Sequence, residues 1–271
     1  MESDLLADIK GTWVAAVRDA AFKAKKRRFA NYVKTVLSLL FGWAVSRKIM
    51  EYNPAAKVKK IRRPKDAPDA NRPWRRAELR VVMAAAPFET TLAVGLAVCT
   101  ALREGDVVHW PWSGYQDGKI QGCDHKTGKP IWMPAHPLLQ ELLDEQRRLH
   151  LLRAAKGSGS NVLPLSLATE HPIVTGQRGR PLTEAGLRSN FFKVIRALKR
   201  EGPVAPGLTF LGLRSTTVVM LVEAGCDDAT IQAVTGQSLA MVAHSRRQVN
   251  RKKLAARAIG RLNFDEESEA D

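Results

Sequence analysis

Between Asn53 and Pro73 the chain carries four prolines, at 54, 64, 68 and 73, and basic residues that include Lys57, Lys59, Lys60, Arg62, Arg63 and Lys65, with few large apolar side chains. Proline fixes φ and withholds a backbone donor, and neighbouring like charges repel, so no continuous helix or central strand passes through this stretch. A chain interrupted in this way folds as two bodies. The sequence predicts a helical domain over residues 1–56, a basic Pro-rich linker over 57–73, a larger domain over 74–262, and an acidic tail over 263–271 with the composition of a disordered segment.

Helical spacing dominates the first body. Trp13, Ala16, Val17 and Ala20 share one face, and Tyr32, Val36, Leu39, Leu40 and Trp43 share another, so two or three helices are expected to pack there through these faces. Between the faces lies a cluster, Lys23, Lys25, Lys26, Arg27 and Arg28, that suits either a solvated surface or a phosphate backbone. In the second body Trp74 to Ala86, Thr90 to Leu102, Pro137 to Leu152 and Pro181 to Arg200 read as helices, the last with Phe191, Ile195 and Leu198 inward. Turn-forming Asp117-Gly118 and Lys126-Thr127-Gly128-Lys129 separate short extended runs, which predicts a small antiparallel sheet. A further helix from Leu213 stops at Gly225, another starts with Asp227 or Asp228 as its cap, and a third starts at Leu239. The expected class is mainly α with a small antiparallel β-sheet (α+β).

Lys and Arg total 43 against 27 Asp and Glu, a formal charge of +16. Such a surplus calls for a polyanionic partner, nucleic acid ahead of an anionic membrane. No apolar run approaches the roughly 20 residues of a spanning helix, and the best candidate, Thr91 to Leu102, is interrupted by Gly95. Met1 to Lys10 contains three acids and lacks the order of a secretory signal, so a cytoplasmic location is expected. Cys99, Cys123 and Cys226 lack the paired spacing of zinc sites; they are expected to be free, mostly buried thiols, with no metal and no cofactor.

Five separated strings then occur in one order: Thr100-Ala101-Leu102-Arg103-Glu104-Gly105-Asp106, Lys126-Thr127-Gly128, Thr209-Phe210-Leu211-Gly212-Leu213-Arg214, Val234-Thr235-Gly236-Gln237 and His244-Ser245. Together they resemble the phage integrase, or tyrosine recombinase, family over Trp74 to Leu262. In that family the strings read T-G-L-R-x-G-D/E, K-T-G, F-H-G-L-R-H, a fourth that often ends in G-H, and a last that ends in the nucleophilic tyrosine. The resemblance implies a helical core-binding domain followed by a catalytic domain. It places the two phosphate-gripping arginines at Arg103 and Arg214, the general acid at Lys126 and a supporting acid at Asp106. It also implies that Leu5 to Met50 corresponds only to the later helices of the core-binding domain. Assembly on DNA with a second copy or with an intact integrase would run through Gln248 to Leu262, a segment equally suited to docking on its own core.

The departures fall on the chemistry. Leu211 stands where the family has a histidine that donates to the phosphate, Ser215 replaces a frequent second histidine, and Gln237 stands where many members have histidine. Ser245 stands at the tyrosine position, and no tyrosine follows Tyr115. Serine is a nucleophile only with a base beside it, and its reach from the backbone is far shorter than that of tyrosine. The leading reading is therefore a catalytically inactive relative that binds double-stranded DNA through Arg103, Lys126, Arg214, Lys25, Lys26, Arg27, Arg28, Lys57, Lys59, Lys60, Arg62 and Arg63, as a regulator or accessory factor in recombination of a mobile element. The alternative is an active site-specific recombinase that uses Ser245 or a tyrosine supplied in trans by a partner. Two blander readings remain beside these: a helix-turn-helix over Cys226 to His244 that reads a major groove, and a remnant without a role.

Overall fold

The computed structural model describes residues 9–64, 71–155, 169–247, 249, 255 and 259. The chain divides into two compact units, Met1–Pro68 and Asp69–Asp271.

The first unit is built on α1 (Gly11–Ser46), two helical stretches joined at a break, where two or three helices are expected. It breaks at Lys25 and Lys26, where Lys26 has φ of 66°, a left-handed conformation that a residue with a β-carbon adopts only at a cost. The faces expected to point inward do not. Trp13, Tyr32, Val36, Leu39, Leu40 and Trp43 are exposed, and the unit's core consists of Val14, Phe41, Ala44, Met50 and Ala55. The helical period was legible, but the face that packs was decided by what comes after the helix. Asn53 Nδ2 donates to the Ser38 carbonyl at 2.8 Å, the Ile61 N–H donates to Asn31 Oδ1 at 2.8 Å, and Arg18 Nη1 donates to the Lys59 carbonyl at 2.6 Å. The first part of the basic segment is therefore bound along α1, with Lys57, Lys59, Lys60, Arg62 and Arg63 exposed.

The second unit contains α2 (Arg76–Ala85), α3 (Phe88–Thr100), α4 (Glu104–His109), β1 (Tyr115–Gln116), β2 (Lys119–Cys123), β3 (Pro130–Pro134), α5 (Pro137–Ala155), α6 (Glu184–Glu201), α7 (Gly212–Ala224), α8 (Asp228–Thr235) and α9 (Leu239–Arg246). The three strands form one antiparallel sheet in the order β1-β2-β3, with Ile120 opposite Met133 and Gly122 opposite Ile131. The architecture is mainly α with a small antiparallel sheet, as the residue pattern predicts. α3 is apolar all round because α2, α5, α6 and α7 cover it, and Leu92, Ala93, Val94, Leu96 and Ala97 are fully buried. Inward residues of α6 are Leu187, Phe191, Ile195 and Leu198. Asp227 caps α8 by accepting from the Thr230 N–H at 2.6 Å, and Gly225 ends α7 in the left-handed region.

α3 ends at Ala101, whose φ of 55° reverses the chain so that Leu102 enters the core and Arg103 starts α4. This is the position at which the integrase-like string carries glycine, the residue that adopts this conformation without strain. Ala101→Gly is expected to stabilise the protein by about 0.5–1 kcal/mol, even after the greater freedom of glycine in the unfolded chain. A urea titration with a raised midpoint and an unchanged slope checks it.

The thiols differ from expectation. All three are free, but Cys123 is exposed and Cys99 and Cys226 are only half-buried. Among the described residues no helix is long and apolar enough to cross a membrane, and no cluster of side chains has the makings of a metal site.

Candidate functional site

The site is assembled around the start of α7. Trp74 donates its backbone N–H to Thr216 Oγ1 at 2.8 Å and its indole N–H to the Thr209 carbonyl at 3.1 Å. Its ring lies 5.7 Å from Phe191, which in turn meets Phe210 edge-on at 5.7 Å. Gly212 allows the closest approach: a β-carbon there would stand 2.6 Å from the Arg72 carbonyl oxygen. The first turn of α7 is thus held from several sides, and with it Arg214.

Arg214, Arg103, Lys126, Asp106 and Leu211 line one cleft of about 410 Å³. Arg214 is 8% exposed. Burial, and then the like charge of Arg103, lower its pKa to about 10, against the pull of Asp124 and Asp106. Its Nη2 makes only a long contact, 3.4 Å, to the Thr235 carbonyl. Arg103 is paired with Asp124 and lies 4.0 Å from Asp106. Asp106 accepts the His125 N–H at 3.0 Å through Oδ1, while its Oδ2 is enclosed without a hydrogen-bond donor among the described residues. Lys126 sits exposed on the turn between β2 and β3.

Asp124 shapes that turn. Its Oδ1 accepts from the Lys126 N–H at 3.0 Å, the Thr127 N–H at 2.8 Å and the Thr127 hydroxyl at 3.0 Å. Burial pushes the Asp124 carboxyl up, but the Thr127 and Lys126 bonds and the Arg103 charge outweigh it and hold the pKa below its ordinary value. Two guanidinium groups and an ammonium around a concave surface, backed by two carboxylates, suit an oxyanion with several acceptor oxygens.

No family model matches this chain, and no curated protein does. Solved structures do. A lambda integrase dimer bound to a COC' core site superposes with a TM-score of 0.69 at 22% identity, covering 100% of this chain and 87% of that one. A Tn1549 transposon integrase in complex with a circular intermediate DNA gives a TM-score of 0.72 at 14% identity, covering 95% of this chain and 87% of that one. The same integrase with transposon right end DNA gives 0.65 at 14% identity, covering 94% and 86%. The fold is that of a tyrosine recombinase.

Within this recombinase fold the positions that depart from the family pattern are not equivalent. Leu211, 51% exposed, presents an apolar side chain to the cleft that Arg214 lines. Gln237 is buried, and its Nε2 donates to the Arg214 carbonyl at 3.4 Å. Ser245, on α9, is 1% exposed, and its hydroxyl has no hydrogen-bond partner among the described residues. Its neighbour Arg246 pairs with Asp228 at 3.3 Å, and His244 is exposed. Of the basic cluster at the α1 break, Lys25, Lys26 and Arg28 are exposed and Arg27 is half-buried. Most of Gln248 to Leu262 lies outside the described residues.

Three residues at or beside the cleft escaped the sequence reading. Asp124 had a signal: an acid four residues before Gly128, whose φ is 65°, is the start of a side-chain-bonded turn. His109 and His125 had none. They come from α4 and from the turn, stack with ring centroids 6.4 Å apart, and both line the cleft; His109 Nδ1 lies 2.7 Å from the Gly105 carbonyl oxygen.

Proposed function

We propose that this protein binds double-stranded DNA in the cytoplasm through a recombinase-type phosphate grip and leaves the strand uncut, serving as a regulator or accessory factor in the recombination of a mobile element. The observation that carries the reading is Arg214: a guanidinium 8% exposed, its charged form disfavoured by burial and by Arg103, opening on a cleft that a phosphate would fill. A phosphate there supplies acceptors beyond the one long contact that Arg214 makes among the described residues, and offsets the mutual repulsion of the two arginines. The exposed basic residues at the α1 break and along Lys57 to Arg63 would add contacts to the backbone, each worth roughly 0.9 in the slope of log affinity against log salt. The similar lambda and Tn1549 integrase structures are themselves DNA complexes, which agrees with this partner.

The missing chemistry is argued from Ser245 and Leu211. A nucleophile needs a base within hydrogen-bond reach and reacting atoms roughly 3–3.5 Å apart. The Ser245 hydroxyl is enclosed without a partner among the described residues, and Leu211 offers no donor to a phosphate. The test is a nicked suicide duplex carrying candidate attachment sequences, incubated with the protein alone and with an intact integrase from the same genome, and resolved on a denaturing gel. Salt-sensitive binding without a covalent adduct is expected. An adduct formed by the protein alone and lost in Ser245→Ala would overturn the reading in favour of a serine recombination step. One that appears only with the integrase and survives Ser245→Ala would assign the nucleophile to the partner.

A further inference from the structure

The first unit exposes more large apolar side chains than it buries. Five residues form its buried core, whereas Phe29, Tyr32, Val36, Leu39, Leu40 and Trp43 all stand open on the second half of α1, with Leu39 70% and Tyr32 66% exposed. Together they leave apolar surface on the order of 500 Å², within the range at which a single patch on a monomer marks an interaction site. A body this small gains little from its own core.

The spacing says what shape covers the patch. Phe29, Tyr32, Val36, Leu39 and Trp43 follow one another at steps of three, four, three and four, on the stretch of helix that continues unbroken after Lys26. That alternation keeps one seam in line along a helix, and it is the seam that another helix packs into. The unit's own core uses other residues of α1, Leu37, Phe41 and Ala44, so the seam is not the core seen from outside.

Charge says what the ends of the covering helix carry. From Ala20 to Met50 there are eight Lys and Arg, namely Lys23, Lys25, Lys26, Arg27, Arg28, Lys34, Arg47 and Lys48, and no Asp or Glu. A second copy laid on this seam in either direction brings cations onto cations. DNA matches the cations but offers nothing to a row of aromatic rings and leucines. We propose that the α1 seam receives an amphipathic helix of a partner protein, apolar along one stripe and bearing Asp and Glu towards its ends, so that carboxylates meet the cations that precede and follow the seam. This inference uses none of the cleft residues and shares with the DNA reading only the cations at the α1 break, for which the partner's carboxylates and the phosphate backbone would compete.

The test uses the full chain and two synthetic helical peptides of about 21 residues, both with leucine and isoleucine at the seam positions, one carrying glutamate and the other lysine towards both ends. The glutamate peptide is expected to bind at least about tenfold more tightly than the lysine peptide, with an affinity that falls as salt is added. Leu39→Glu, at a site too exposed to disturb folding, is expected to abolish that binding while leaving Tm and DNA binding unchanged. Equal binding of both peptides, or binding of neither, overturns the proposal. So does a chain that sediments as a dimer dissociated by Leu39→Glu, which would assign the seam to a second copy. Loss of DNA affinity in Leu39→Glu would overturn it in favour of DNA.

Discussion

Glu78→Ala is expected to lower the stability of the second unit by about 3–5 kcal/mol. Glu78 is 3% exposed and receives a two-pronged bond from Arg72, whose Nη2 reaches Oε1 at 2.6 Å and Nη1 reaches Oε2 at 2.9 Å. Backbone N–H groups of Arg75 and Ala205 add bonds at 2.8 and 3.2 Å. Arg72 in turn donates to the carbonyls of Pro73, Ala205 and Pro206. One carboxylate therefore ties the entry to the second unit to the loop that leads into α7. Its removal leaves a guanidinium and two N–H groups without their acceptor, which costs more than the pair itself contributes.

The same residue makes the effect pH-dependent. Burial raises the Glu78 carboxyl, but the Arg72 bond, the two N–H groups and the Arg72 charge outweigh it, and the pKa lies below its ordinary value of 4.5. A group depressed on folding contributes stability that is present above its unfolded pKa and is lost as pH falls through its folded pKa. The gap between wild type and Glu78→Ala should therefore be full at neutral pH and close in acid, below the ordinary glutamate range. Urea titrations of both proteins across that range measure it. A gap independent of pH would mean that the alanine acts through packing alone.

The second large effect is expected in DNA affinity. Arg214→Ala removes one of two guanidinium groups that feel the charges of Asp106 and Asp124. The two carboxylates are then only balanced by Arg103 and the exposed Lys126, so the positive surplus that these groups offer a phosphate is lost. We expect a loss of about a hundredfold in affinity and a salt slope reduced by about 0.9. Lys126→Ala, on the exposed turn, should reduce the slope similarly with a loss nearer tenfold. Fluorescence anisotropy with a labelled duplex over a potassium chloride series separates the two. A slope unchanged in Arg214→Ala would remove that residue from the phosphate contacts.

Much of this was readable before any coordinates. The helices of the second unit announce themselves by period, and the sheet by its turns, because burial on one side and turn chemistry are both local properties. Arg103, Lys126 and Arg214 were brought together by a resemblance in the order of short strings, and the cleft contains all three. What the chain did not reveal was partnership across distance. The α1 stripe was periodic, yet periodicity cannot say which stripe faces inward when the covering segment is an irregular return held by Asn31, Asn53 and Arg18. The stacking of His109 on His125 depends on how the turn folds back over α4, and neither residue signals the other.

The bonding of Asp124 makes the cleft a mechanical coupling as well as a charged surface. The carboxylate that neutralises Arg103 also fastens the turn that carries Lys126. An anion that draws Arg103 toward itself competes with Asp124 for that guanidinium, and the released carboxylate is freer to shift the turn. Occupancy of the cleft would then be felt at the β2–β3 hairpin, through the one carboxylate that serves Arg103 with Oδ2 and the turn with Oδ1.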